Sequence, residues 1–500
     1  MVLAILATAA NNYFPTQYTT HIVLGLLATY TLYIVFQGRK TSRERTLHGR
    51  VVLITGAFTP VGITLLQQLA ERGAHIIALT PYPVAFENVS SLIEVLRSTT
   101  KNELIYAEQC DLNSPASIQA FCKRFLLGED KRLDAIIFAH EYETLGSFGF
   151  VTKETAGVQD ERDRRSLATF LLTTLLLPSL LAAPSERDIR IVNVVNRFYA
   201  AAVPDPVFFY SNLFPSFAPT APEKPKKSAS LFFEEGRRAL QTIILTRHLQ
   251  RVLDALPSAQ VPQASAGSTS VPVVSAKNQR SNIVAMSVSP GVSRSDTIGR
   301  MLTIGSEAPT SWLGVLLYTL FYPLLRIFTK GPTFAIQSIL HVLFLPTPFK
   351  LIINSEPTES QEQKDTTKDS PSNKRVARNP QEVLKPGALY AECATVVGLR
   401  LPPPHLIVKP SEEEDKKGKG KQKAEATTDE PAPRLPDDNE FGGERAGTLV
   451  WEAYEAALRV WQKSSPTLEE YEREMKEHAS KAKTETEESN LETVAEGTEE

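Results

Sequence analysis

Three cysteines in 500 residues, Cys110, Cys122 and Cys393, are too few and too scattered for a disulfide framework or a thiolate metal cage. The sparse, odd count fits a reducing compartment, with each thiol a small buried hydrophobe. An excess of charge of one sign is also lacking. Lys and Arg number 54 against 57 Asp and Glu, leaving −3. That excludes a strongly basic nucleic-acid binder and a wholly acidic solvating chain. What is present is a 42% apolar fraction, enough for a sizeable core. The length exceeds one compact domain of about 100–200 residues, and 34 prolines exceed the usual share of roughly 5%, so irregular insertions are expected.

Charged side chains are missing altogether from residues 1–20. The segment Tyr18–Phe36 is apolar apart from hydroxyls and His21. As a helix it would reach about 28 Å, close to a bilayer core of roughly 30 Å. Arg39, Lys40, Arg43, Arg45 and Arg50 follow against a single acid, Glu44. The positive-inside rule places everything after residue 37 in the cytosol, with a short N-terminus outside. Residues 1–37 therefore read as an N-terminal segment with a membrane anchor at about 18–36. A cleaved signal peptide is the weaker reading, because no basic residue precedes the first apolar run.

From Val51 onwards short apolar runs alternate with helical patterns, the signature of βαβ units and a parallel sheet. Strands are expected at 51–55, 75–79, 104–109, 133–139, 189–195, 282–288 and 388–397. Helices are expected near 61–72, 88–99, 115–126, 160–183 and 233–255. Insertions at 256–280 and 354–384 and a charged linker at 409–446 are too polar to bury apolar surface and are read as flexible. Residues 447–483 return to helix, with Trp451, Tyr454, Leu458 and Trp461 on one face, before an acidic tail at 484–500. No internal repeat is found.

The run VVLITGAFTPVG at 51–62 is a strand, a glycine turn and a helix start, an arrangement that lets backbone amides meet a pyrophosphate. Together with CDLNSPASIQAFCKRF, LDAIIFAH, FLLTTLLLPSL, RIVNVV, ILTRHLQRVL and VSPGVSRSD, it resembles the short-chain dehydrogenase/reductase family, in its membrane-anchored, retinol-dehydrogenase-like branch. The resemblance covers roughly 49–345 plus the strand near 386–400. It implies a doubly wound Rossmann-type α/β fold, NAD or NADP as cofactor, and an endoplasmic reticulum membrane. It also implies that Thr55, Gly56 and Gly62 form the phosphate turn, that Asp111 faces the adenine, and that Pro290 and Gly291 lie beside the nicotinamide.

Against that pattern stand several departures. The middle glycine of the turn is Pro60, which has no N–H to offer. The family's supporting asparagine falls on Arg165, its serine on Val195 or Asn196, and its Tyr-x-x-x-Lys on Glu235 and Ala239, or on Phe233 and Arg237 in a shifted register. The family's tyrosine transfers the proton and its lysine lowers the tyrosine pKa, help ordinarily worth about 10²–10⁴-fold. Asn196, Glu235 and Arg238 are the candidates for a rewired catalytic set, with Glu235 as acid. The ordinary reading of Glu235 and its arginines is a solvated helix face. Tyr210 is another candidate acid, but no Lys lies four residues on and it reads first as an aromatic packing a loop; His140 reads as a packed strand-end histidine more than as a base. Beyond residue 291, the apolar stretches 311–328 and 334–346 are either a helix pair on the membrane surface or core helices of a substrate lobe.

Two functions remain open at this point. One is an oxidoreductase acting on a lipophilic carbonyl or alcohol through the rewired site. The other, which the lost residues favour, is a non-catalytic scaffold or a dinucleotide or lipid sensor. The expected partners are the lipid bilayer, a lipophilic small molecule and proteins engaging the charged tail, with no nucleic acid and no metal.

Overall fold

The computed structural model describes residues 19–128, 132–149, 151, 156–184, 187–217, 230–260, 281–304, 311–347, 382–404, 440–475 and 477. All five residues of Val51–Thr55 are buried. Without alternation of apolar and polar positions, such a strand must be covered on both faces. It is β1 of a sheet that continues with β2 His75–Thr80, β3 Ile105–Gln109, β4 Ala135–Phe138, β5 Ile189–Val194, β6 Ile283–Ser289, β7 Leu389–Ala391 and β8 Ala394–Thr395. The order is β3-β2-β1-β4-β5-β6-β7-β8, parallel as far as β7. The winding reverses between β1 and β4, where Thr55 lies opposite Phe138. In open α/β sheets the crevice at the carboxyl ends of such strands is the ligand position.

The expected doubly wound Rossmann-type fold is thus present, with one correction at its edge. The single strand expected at 388–397 is two strands, because Glu392 (φ 52°) and Cys393 (φ 58°) adopt left-handed conformations and turn the chain back antiparallel.

Nine helices are used below: α1 Thr19–Gln37, α2 Pro60–Ala70, α3 Glu87–Thr100, α4 Pro115–Leu127, α5 Ala156–Leu181, α6 Leu231–Gln260, α7 Trp312–Phe328, α8 Gln337–Phe344 and α9 Gly443–Ser464. One face of the sheet is covered by α2, α3 and α8, through Leu65, Leu66, Ile93 and Ile339. The other is covered by α4, α5 and α6, through Phe121, Leu172 and Leu240. On that side α9 adds a second layer, burying Val450, Tyr454, Ala457 and Trp461 at i, i+4, i+7 and i+11. Of the face read from the sequence, Trp451 and Leu458 are only partly buried.

Two apolar segments that look alike in sequence have different fates. Every residue of α8 after Gln337 is buried, so the second half of the expected surface pair is core. In α7 only Gly314 is buried. Helix α1 is long and apolar enough to cross a membrane and is almost wholly exposed. The flexible insertions, the charged linker and the acidic tail fall mostly on 261–280, 348–381, 405–439 and 478–500, outside the described residues. The linker ends earlier than 446, because α9 begins at Gly443.

Candidate functional site

At the carboxyl ends of β1 to β4 lies a cleft of about 720 Å³. Gly56, Thr59, Tyr82, Asp111, Arg165 and Arg300 are among its walls. Gly56 sits at φ +66°, and a Cβ there would stand 2.8 Å from the His140 amide, so the turn requires glycine. Gly62 is equally constrained, since its Cβ would meet the Gly56 carbonyl oxygen at 2.3 Å. Thr55 is buried behind the turn, with Oγ1 2.7 Å from His140 Nδ1. Asp111 borders the cleft, and its Oδ1 accepts from the Asn113 amide at 2.9 Å.

Pro60 does not distort this turn. It occupies the first turn of α2, where a missing N–H leaves no intrahelical bond unmade. The next amides are already engaged. Gly62 N donates to Thr59 Oγ1 at 2.9 Å, and Val61 N donates to Asp296 Oδ1 at 3.3 Å. Asp296 is buried, and Ser293 and Ser295 hydroxyls donate to its other oxygen at 2.9 and 2.6 Å. A carboxylate therefore stands at the helix N-terminus, the place that suits a phosphate.

Asn196, Glu235 and Arg238 come together, but not in the cleft. They line a separate cavity of about 20 Å³, room for one water and not for a pyridine ring. The ordinary reading of Glu235 as solvated is corrected here: Glu235, Arg237 and Arg238 are all buried. One Glu235 oxygen accepts from Arg162, from Arg238 Nη1 at 2.9 Å and from the Gly146 amide at 3.0 Å. Asp163 accepts from Arg238 Nε at 3.1 Å and pairs with Arg237 at 3.6 Å. A charge buried in a helical pair is tolerable only with such partners, and here both carboxylates have them. Arg162 and Asp163 escaped the sequence reading because ERDRR reads as a solvated charge run.

Asn196 is spent on backbone. Its Oδ1 accepts from Phe198 N at 3.0 Å and its Nδ2 donates to the Glu235 carbonyl at 3.4 Å. Tyr210 donates to the Pro402 carbonyl at 3.2 Å and lines neither cavity. Pro290 and Gly291 line neither cavity as well. Lys330 Nζ donates to the Pro290 carbonyl at 3.0 Å, and its side chain would lie 3.1 Å from a Cβ on Gly291, which sits at φ +98°.

Two titratable neighbours stand on either side, His140 in the wall of the cleft and Glu141 in that of the small cavity. Burial holds His140 neutral, with its pKa lowered to about 4. Burial raises Glu141 to about 7, although Thr169 and Thr242 donate to its oxygens at 2.6 and 2.7 Å. Tested against a nicotinamide dinucleotide, the cleft supplies the glycine turn and Asp111, while Asp296 bonds the helix terminus where a phosphate would sit. The cleft's 720 Å³ runs from Tyr82 and Asp111 past the turn to His140 and Arg165. Pro290 and Gly291, where the resemblance expects the nicotinamide, border Lys330 and not the cleft.

No family model matches the chain. It is 30% identical over 332 residues to an uncharacterized oxidoreductase of Saccharomyces cerevisiae, covering 64% of this chain and 74% of that protein. To an uncharacterized oxidoreductase of Schizosaccharomyces pombe it is 26% identical over 332 residues, 66% of this chain and 79% of the relative. Human retinol dehydrogenase 12 is 34% identical over 184 residues, 35% of this chain and 54% of that enzyme. Among solved structures, a short chain dehydrogenase from Shigella flexneri aligns over 60% of this chain and 88% of its own, at 15% identity and a TM-score of 0.36. With the eight-stranded sheet, the glycine turn and the shared sequence in place, the chain belongs to the short-chain dehydrogenase/reductase family, similar to its retinol dehydrogenases.

Proposed function

We propose that this chain is a membrane-anchored member of its family that no longer transfers hydride, and that it serves as a scaffold or sensor whose cleft takes the adenosine end of a nucleotide. The observation that carries this reading is the buried cluster of Glu235 with Arg162 and Arg238. It occupies the helix position where the resemblance expects a tyrosine and a lysine, and it leaves a cavity of about 20 Å³. No hydroxyl proton donor faces that cavity with a lysine four residues on. Anchoring is supported by the length and composition of α1.

One observation favours the second reading, an oxidoreductase on a lipophilic carbonyl or alcohol. Glu141, at about 7, has the proton affinity that suits a general acid or base at neutral pH. The resemblance to enzymes named retinol dehydrogenases supplies the substrate class for that case. The test is deuteride transfer from NADH and NADPH, each deuterated at nicotinamide C4, to retinal and to straight-chain aldehydes, using the full chain in detergent. No deuterated alcohol is expected. Deuterated product that disappears in Glu141→Gln would establish the oxidoreductase instead.

A further inference from the structure

α7 is seventeen residues long, about 25 Å, and nearly all of it is apolar and uncovered. Trp312 is 77% exposed and Leu320 65%, and with Leu313, Leu316 and Leu324 they fall within about 120° of one face. Soluble monomers rarely leave so long a contiguous apolar patch in water.

Three observations narrow what covers it. Both ends of the helix are fastened to the domain. At the start, Ser311 N donates to Thr303 Oγ1 at 3.3 Å, and Gly314 is so close to the Leu302 carbonyl that a Cβ would meet it at 2.0 Å. Beyond the end, Lys330 N donates to the Val292 carbonyl at 2.9 Å, and Arg294 N donates to the Lys330 carbonyl at 3.0 Å. A helix held to one body at both ends runs along that body and cannot cross a bilayer.

The second observation is the neighbour at its end. The Phe36 ring of α1 meets Phe328 edge-on at 4.8 Å between centroids. Gln37 Nε2 donates to the Thr329 carbonyl at 3.3 Å, and Gln37 Oε1 accepts from Gly331 N at 3.4 Å. The outlet of the span-length helix and the end of α7 are therefore one junction. The third observation is charge. α7 carries no carboxylate, and its one cation, Arg326, lies in its last turn, on the side where Arg39 and Lys40 follow α1. Cations at that edge suit lipid headgroups.

We infer that α7 lies in the plane of the bilayer surface, with its apolar face from Trp312 to Leu324 among the acyl chains, beside the point where α1 leaves the membrane. This rests on the anchoring proposed above. Two residues past the helix, Lys330 donates to the Pro290 and Val292 carbonyls, so the Pro290-Gly291 turn lies beside this end of α7.

The test uses the full chain reconstituted in vesicles of phosphatidylcholine and phosphatidylserine carrying bromine on the acyl chains, near the headgroup or deep. Tryptophan emission is compared for the native chain, Trp312→Phe, and Trp312→Phe combined with Leu320→Trp. Quenching is expected in the native chain, lost in Trp312→Phe and regained in the double variant, with shallow bromines the more effective at both positions. Shallow quenching at one position and deep at the other would mean that α7 spans. No quenching in protein that floats with the vesicles would mean that protein covers the apolar face. Either result overturns the inference and leaves the anchor intact, whereas protein that fails to float overturns both.

Discussion

The Val61 amide donates to Asp296 at 3.3 Å, so a helix terminus that ordinarily draws a phosphate already has an anion bonded to it. Replacing Asp296 by alanine removes that charge and frees the amide. ADP should then bind roughly tenfold more tightly, while thermal stability falls by about 1 kcal/mol for the lost helix-terminus interaction. Calorimetric titration and a melting curve read the two effects. Unchanged affinity would mean that phosphate never reaches this turn. The neighbours His140 and Glu141 make a second expectation, in pH. Glu141, at about 7 in the fold against an ordinary 4.5, contributes stability that is full below pH 4.5 and lost as pH rises to 7. His140, at about 4 against 6.5, contributes stability that is full above pH 6.5 and lost as pH falls to 4. Each effect is on the order of 3 kcal/mol, and between pH 4.5 and 6.5 they oppose each other. Glu141→Gln should expose the histidine alone, so that denaturant midpoints fall on acidification across that window while the native chain stays nearly level. Parallel pH curves for the two proteins would contradict the assignment. Glu235→Gln, which leaves Arg162 and Arg238 short of a buried counter-charge, should lower stability by about 3–5 kcal/mol.

Among the elements, α9 shows most clearly what local pattern can reveal. Its apolar residues at helical spacing marked a packed helix. Trp461→Ala should therefore behave as a core substitution and reduce stability by about 3–5 kcal/mol, measured by urea unfolding. A loss under 1 kcal/mol would mean that α9 is not part of the cooperative unit. The strands were legible for the same local reason, because runs such as AIIF have no polar face to expose. What the sequence concealed depends on contacts between distant segments. Glu235 meets Arg162 across 73 residues, and nothing in a helical pattern says that α6 is covered where this carboxylate points. Asp296 lay within a recognised motif, but nothing in that motif says that its carboxylate reaches α2 from 235 residues away. The apolar segments of α7 and α8 could not be told apart, because only the sheet beneath α8 separates core from surface.

For the whole molecule, orientation and chemistry are separate claims. Asn88-Val89-Ser90 is a glycosylation sequon whose asparagine is exposed at the cleft rim. With the domain in the cytosol it stays unmodified, and a glycosidase-sensitive mass shift abolished by Asn88→Gln would reverse the orientation. The chemical claim is that the fold keeps room for an adenosine and has closed the nicotinamide end. Competitive binding of ADP and NADPH to the full chain, followed with nicotinamide emission, tests it most directly. ADP and NADPH should bind within about threefold of each other, with the emission unshifted because the ring stays in water. NADPH binding more than a hundredfold tighter than ADP, with blue-shifted emission, would place the ring inside the protein and contradict it.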